Sequence, residues 1–599
     1  MPRVNKKAAG ATSVPSGKPS TAHVPVGPPA GACARRTGLF IAWIGATLLL
    51  TWVGHASPRL LEPAYGGVLS YLYYQPALAL AFLSGAVGVG TWASVSSCRG
   101  SPTATGPLVM TWCARLLLAT AVVLAGSESA VRWVTQYRSL LGPWFGPHLT
   151  QLSHAYPLGF CAGAITALVT QGAMSSVATW PLVSTTGMAA VTWLMAGYLG
   201  CHLLPFFPTC PSIVTLGAAM ATAGLGVGAL TPMASANITS PTLLPSLSAA
   251  IGRALRRYGW VYVLVLGLLG YVWNREPNCQ AGVDPLYHNR PELGLKVVDR
   301  AESLTGWVSV LDNTKDGNRI LRSGHSVIGG RWHRPRESIF IIFYAMEGVQ
   351  LIRNRRYDSP ARGLQIGLGV GICTDSMQRL GTQMDVVEID PKVYQFARQY
   401  FGLAKPHGVY LQDGRTFIEH SAANDTYDYV FHDVFTGGAV PPSLFSVEAL
   451  TQIKRILKPH GVLALNFVGS LEPPLHRALL FVWKTLTAVF PHVVCYPEEG
   501  GRTSVITNMV FFASSQPIKG FRSPTRREIN KTILRERVFK DLAANKMIDI
   551  EHEFKDYMFP ELTPITDAHN PLAHEQVASA AVFWSMLNSL YPKDFWSFY

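Results

Sequence analysis

The two halves of this chain are written for different solvents. Between residues 1 and 274 seven apolar runs follow one another, at about 39–55, 68–95, 107–126, 156–175, 182–203, 211–233 and 258–274. Each is near the roughly 20 residues that a helix needs to cross about 30 Å of hydrocarbon. The same stretch holds two acidic side chains, Glu62 and Glu128, against fourteen Lys and Arg, while the rest of the chain carries the other 34 acidic and 36 basic residues of 36 and 50 in all. The net charge of +14 therefore sits in the half that is otherwise apolar. It reads as topogenic charge flanking membrane helices, so a lipid bilayer is the expected partner and nucleic acid is not.

The expected order is a tail over 1–34, too poor in large apolar residues to fold, a polytopic α-helical membrane domain over 35–274, a linker and small β region over 275–335, an α/β unit over 336–516 and a helical extension over 517–599. Seven spans is the count and six the alternative. Six basic residues ahead of the first apolar run, Arg35 and Arg36 among them, with Arg253, Arg256 and Arg257 in a later loop, place the N-terminus in the cytosol. Seven spans would then put the C-terminal half on the other face. A cytosolic C-terminal half with one span miscounted is the expectation; sequons at Asn424 and Asn530 matter only if it lies outside. Gly224 and Gly228, at small-xxx-small spacing, suit closely packed helices. Nine cysteines form no CxxC pair and no ligand spacing, so no metal is expected.

From Ala361 the pattern alternates strand, turn and helix, the signature of a parallel sheet with crossover helices, that is, a Rossmann-like α/β fold. Strands are predicted at 364–367, 384–389, 409–412, 429–434 and 462–467, with helices at 391–400 and 446–457 and a closing antiparallel pair near 492–496 and 505–513. The first strand runs into Gly367-Leu-Gly369-Val-Gly371, a glycine turn of the kind that lets backbone approach a nucleotide. Nineteen residues after Gly369, Glu388 closes the second strand, where a carboxylate can hold ribose hydroxyls. Asp413-Gly414 closes the third strand and Asp433 the fourth. One strand-end Asp is as often a helix cap. Three acids at three successive carboxyl ends converge on the crevice where such sheets bind ligands. Strand alternation turns His432 away from the face of Asp433.

Gly-Leu-Gly-Val-Gly (367–371), Val-Val-Glu-Ile-Asp-Pro (386–391), Asp-Gly-Arg (413–415), Tyr-Asp-Tyr-Val-Phe-His-Asp-Val-Phe-Thr-Gly-Gly (427–438) and Leu-Lys-Pro-His-Gly-Val-Leu (457–463) resemble the spermidine synthase branch of class I methyltransferase folds, in its membrane-fused form. The resemblance includes a small strand-rich lead-in, 307–311 and 318–322. It implies S-adenosylmethionine or its decarboxylated form as cofactor, with Gly367, Gly369, Gly371 and Gly414 in the cradle. It further implies Glu388 on ribose, Asp413 on the adenine amino group, and Asp433 as the catalytic residue facing the sulfonium or the acceptor.

Departures from that family set the direction of the chemistry. Val370 stands where aminopropyltransferases carry Asp, Thr436 where they carry a second carboxylate, and apolar residues around Phe340 and Ile341 where a polar pair cradles the diamine. A dicationic acceptor needs carboxylates to pair its charges and take its proton. Loss of an Asp at 370 would also remove a like-charge contact with the carboxylate of intact S-adenosylmethionine, worth roughly 1–4 kcal/mol at about 4 Å. Methyl transfer to a small, possibly apolar acceptor is the favoured reading. Aminopropyl transfer with a rebuilt acceptor site and non-catalytic nucleoside sensing are the alternatives. A helix is expected over 526–544, and the closing aromatics Phe583-Trp584 and Phe595-Trp596 are expected to pack on the domain, dock on a membrane interface or cover the acceptor pocket.

Overall fold

The computed structural model describes residues 30–72, 74–98, 102–135, 137–173, 181–203, 209–234, 243–275, 294–352, 360–435, 437–498, 505–544, 546–591 and 595–596. The tail expected over 1–34 lies outside them up to residue 29, and residues 30–34 already belong to the first helix, α1 (Ala30–Leu72). It is followed by α2 (Tyr74–Cys98), α3 (Pro102–Thr135), α4 (Arg138–Ser153), α5 (Ala155–Ala173), α6 (Pro181–Leu203), α7 (Thr209–Ala234) and α8 (Leu243–Arg275). Each predicted apolar run overlaps one of these helices, except that the start of the second belongs to the 43-residue α1; the last two residues of the fourth run, 174 and 175, lie outside the described residues. Helix α4 was not expected; it holds Pro143 and Pro147 and is kinked at Gly142.

Among the described residues three segments are long and apolar enough to cross a membrane, Ala32–Glu62, Leu108–Ser127 and Val214–Thr231, or four if the bent pair α4 and α5 counts as one. Small residues bring the helices together. A Cβ built on Gly163 would stand 2.0 Å from the Phe82 carbonyl oxygen, and one on Gly85 2.1 Å from that of Phe160, so α2 and α5 touch backbone to backbone. Gly224 and Gly228 make looser contacts, with the side chains of Leu118 and Tyr258.

Beyond the bundle a four-stranded antiparallel meander, β1 (Leu295–Ser303), β2 (Gly306–Asn313), β3 (Asn318–Ser323) and β4 (Ser326–Trp332), precedes a seven-stranded sheet. The sheet comprises β5 (Arg362–Ile366), β6 (Gln383–Glu388), β7 (Gly408–Leu411), β8 (Tyr427–His432), β9 (Leu457–Gly469), β10 (His492–Pro497) and β11 (Thr507–Ser514). Their spatial order is β10-β11-β9-β8-β5-β6-β7; β5 to β9 pair in parallel, and β11 runs antiparallel to both neighbours. The chain order reverses between β5 and β8, which makes their carboxyl ends the switch point.

Central strands buried on both faces need apolar residues at successive positions, and Val462 to Phe467 supplies them with one exception, Asn466. The crossover helix Pro391–Tyr400 starts where predicted because Asp390 accepts from the Lys392 and Val393 amides and Pro391 occupies the first turn. Asp390 also takes the hydroxyls of Ser303 and Thr305, tying the meander to the sheet. The single helix expected over 526–544 is two, Arg526–Ile529 and Ile533–Ala543. The break lies at Asn530 and Lys531, both with positive φ, so the first helix ends in a left-handed cap.

The meander rests on the protruding end of α1. The Glu62 side chain lies beside Gly306 and Gly324. Leu61, Ala64 and Tyr65 of α1 join Val131 of α3 and Trp584 in one buried apolar cluster.

Candidate functional site

The glycine turn, Glu388 and Asp433 lie together at the switch point, and Asp413 lies at the end of the edge strand β7. Gly367, at φ 75°, donates its amide to the Val387 carbonyl of β6, and the Asp433 amide bonds back to Ile366 of β5. A Cβ on Gly367 would stand 2.0 Å from the Asp433 carbonyl oxygen, so only glycine lets the turn approach the end of β8. Gly369 and Gly371 also have positive φ, and Gly371 opens the helix Ile372–Arg379.

Glu388 holds this turn. Its carboxylate accepts the Leu368 amide at 2.8 Å and the Asp390 amide at 2.9 Å, which fixes it across the mouth of the glycine turn. Burial raises its pKa to about 7 against the pull of those two amides. Each carboxylate oxygen has a further lone pair, so the group that shapes the turn can also accept from a ribose. Asp413 is exposed at the end of β7 and caps the short turn Gly414–Thr416 through the Thr416 amide at 2.9 Å. The cap reading holds there. Gly414 lies against Ile366, the last residue of β5. Arg415 makes a paired contact with Asp567, which joins the C-terminal extension to this edge of the site.

Asp433 is partly buried, and one oxygen accepts from Asn466 Nδ2 at 2.9 Å. Burial raises its pKa to about 6, with the Asn466 bond acting in the opposite sense. Asn466 Oδ1 is buried with no hydrogen-bond partner among the described residues. His432 points the other way: it is fully buried, both ring nitrogens lack a partner, and it stacks edge-on against Phe445. Burial lowers its pKa to about 4, so it is a packed neutral imidazole, as alternation predicts.

Val370 is 1% exposed and packs on Gly329 of β4 within the apolar cluster beneath the meander. Phe340 and Ile341 border the same cluster. Thr436, the other departure, lies outside the described residues.

Reasoning from sequence missed Asn466, although one amide in the apolar run Leu-Ala-Leu-Asn-Phe-Val is a readable signal. It also missed Gln576 and the pairing of Phe583 with Phe435, whose rings meet edge to face at 5.1 Å. Nothing local in the sequence joins residues so far apart.

A glycine turn after the first strand and acidic residues at the ends of the second, third and fourth, on this strand order, define a class I methyltransferase-type domain. Residues 345–498 match the family model described as Spermine/spermidine synthase domain. This unit is therefore of the spermidine synthase-like branch of the S-adenosylmethionine-dependent methyltransferase fold. Over 252 residues the chain is 35% identical to an N-terminal histidine N-methyltransferase of Emericella nidulans, covering 39% of this chain and 44% of that protein. It is 29% identical over 167 residues to a polyamine aminopropyltransferase of Vibrio vulnificus, covering 27% and 54%. To the human eEF1A lysine and N-terminal methyltransferase it is 30% identical over 195 residues, covering 30% and 26%. The chain thus spans about half the length, or less, of these relatives.

Proposed function

We propose that this protein is a membrane-embedded methyltransferase that uses S-adenosylmethionine to methylate an amine at a polypeptide N-terminus. The observation that carries the reading is Asp433, a single partly buried carboxylate held by Asn466 at the end of β8, against the glycine turn. Two relatives named for N-terminal methylation support the acceptor class. Three long apolar helices in the N-terminal half support the membrane.

The cofactor would supply an activated methyl group on sulfur. The chain does the rest: the glycine turn and Glu388 hold the nucleoside, Asp413 lies at the adenine side, and Asp433 meets the acceptor. The amine nitrogen bonds to the methyl carbon as the carbon–sulfur bond breaks, its electron pair going to sulfur. The proton lost by nitrogen passes to the Asp433 carboxylate and then to water. An α-amine has a pKa of about 7.7–8.0 against about 10.4 for an alkyl amine, so at neutral pH it is hundreds of times more often in its reactive form. One carboxylate titrating at about 6 suits that acceptor. A diamine would ask for a second carboxylate, and Val434 and Phe435, which follow Asp433, supply none.

Purified full-length protein given methyl-labelled S-adenosylmethionine and a peptide with a free N-terminal histidine should label the peptide and leave an N-acetylated copy unlabelled. Aminopropyl transfer, favoured by the spermine/spermidine synthase match, would instead consume decarboxylated cofactor with putrescine. That outcome, or failure to bind either nucleoside, would sink the proposal.

A further inference from the structure

The fourteen-residue helix Val577–Leu590 near the C-terminus touches both the acceptor side of the site and helix α1. Toward the site, Gln576 at its start holds both backbone polar groups of one residue, Val440, in the loop after β8. Its Oε1 accepts the Val440 amide at 3.0 Å and its Nε2 donates to the Val440 carbonyl at 2.9 Å. One turn on, Ala580 lies on Gly438, where a Cβ would come within 2.8 Å of the Ala580 Cα. A further turn on, Phe583 meets Phe435, two residues past Asp433. Positions 576, 580 and 583 lie on one helical face.

On the neighbouring face stands Trp584. Its indole donates to the Ala64 carbonyl of α1 at 2.8 Å, and its ring stacks on Tyr65 of α1 and on His325 of the meander turn. Trp596 in turn stacks on His325 with ring centroids 3.9 Å apart. A helix pinned at Trp584 cannot shift without carrying Gln576, Ala580 and Phe583 along.

We propose that this helix positions the acceptor loop: Gln576 and Phe583 set residues 433–440 beside the reacting amine, and Trp584 fixes the helix itself on α1, making the apolar half part of the acceptor site's support. The inference rests on the proposed amine methyl transfer for its kinetic readout but not for its structural one. None of the three side chains touches the glycine turn or Glu388 in the contacts described, so the acceptor and not the nucleoside should register their loss.

The test uses the full-length chain in detergent, with calorimetric binding of S-adenosylhomocysteine and methyl transfer to the free N-terminal histidine peptide. Gln576→Ala should raise the peptide KM about tenfold, the value of one good hydrogen bond, and leave nucleoside affinity within about twofold. Gln576→Glu keeps the acceptor for the Val440 amide but loses the donor, so its KM should fall between. Trp584→Ala should raise KM although it touches no loop residue, and Trp584→Phe, which keeps the ring, should do so less. Unchanged peptide kinetics in all four variants, or parallel loss of nucleoside affinity and melting temperature, overturns the proposal. If the wild type labels no peptide, the proposed reaction falls and hydrogen exchange decides this inference. Amides 437–440 should then exchange about tenfold faster in Gln576→Ala while β9 is unchanged, and equal exchange overturns it.

Discussion

In the proposed transfer, Asp433 and Glu388 are the two side chains whose protonation would matter, since burial raises the pKa of both. Asp433 must be ionised to take a proton, and its pKa is raised to about 6, so transfer should fall as pH drops through that value. Asp433→Asn should cut kcat by about 10²–10⁴ and remove that acid limb, while nucleoside binding stays close to wild type. A pH–rate profile with calorimetry on the same sample checks all three outcomes; persistence of the limb in the variant would assign it elsewhere. Both carboxylates were legible in sequence because strand ends are marked by apolar runs that stop. What surrounds them was less so. The Asn466 bond crosses from β9 to β8, and the inward packing of Val370 depends on where the meander sits. Neither follows from residues near in sequence.

At the scale of elements, the glycine turn is where conformation and contact constrain one position together. Gly367 has φ 75° and no room for a Cβ against the Asp433 carbonyl. Gly367→Ala should therefore destabilise the α/β unit by roughly 2–4 kcal/mol, from left-handed backbone cost and overpacking combined, and weaken nucleoside binding more than any change confined to the acceptor loop. Thermal melts with and without S-adenosylhomocysteine measure both effects, and an unshifted midpoint would contradict the geometry. The sheet elements were well marked in sequence: β5 to β8 lie within two residues of the predicted strands at either end, because short segments rich in apolar residues are bounded by glycine or acidic turns. Strand β9 extends further, to Gly469, where β11 continues the pairing, and back to Leu457, which pairs with Tyr427 of β8. The break after Ile529 was missed because helical periodicity continues through it, and only the left-handed Asn530 and Lys531 end the turn.

For the whole molecule, two buried long-range joins are among those that hold the extension to the rest. One is Trp584 on α1. The other is the buried ion pair of Arg535 with Glu347, at 2.7 Å with side chains 4% and 0% exposed. Removing one partner leaves an uncompensated charge in the interior, so Glu347→Gln should cost about 3–5 kcal/mol by denaturant unfolding of the full-length chain, followed in the α/β unit, whereas a paired Glu347→Leu, Arg535→Met change should recover most of it. No recovery in the double variant would mean the pair contributes specific bonds beyond charge. Neither join was legible, since each links residues hundreds of positions apart.

Helix α1 carries a consequence for where the reaction takes place. Arg35 and Arg36 lie near its start, and Arg59, Glu62 and Tyr65, which meet the meander and the C-terminal helix, lie about 36 Å further along at 1.5 Å per residue. That distance exceeds the roughly 30 Å of a hydrocarbon core. A bilayer placed around the bundle would leave the arginine pair and the transferase unit in different compartments, an expectation that differs from a cytosolic N-terminus and a cytosolic domain together. Protease protection of tags at the two termini in sealed vesicles should show one shielded and one cleaved, and like behaviour of both would refute the separation. The insertion of a single helix would then select which compartment's amines can be methylated.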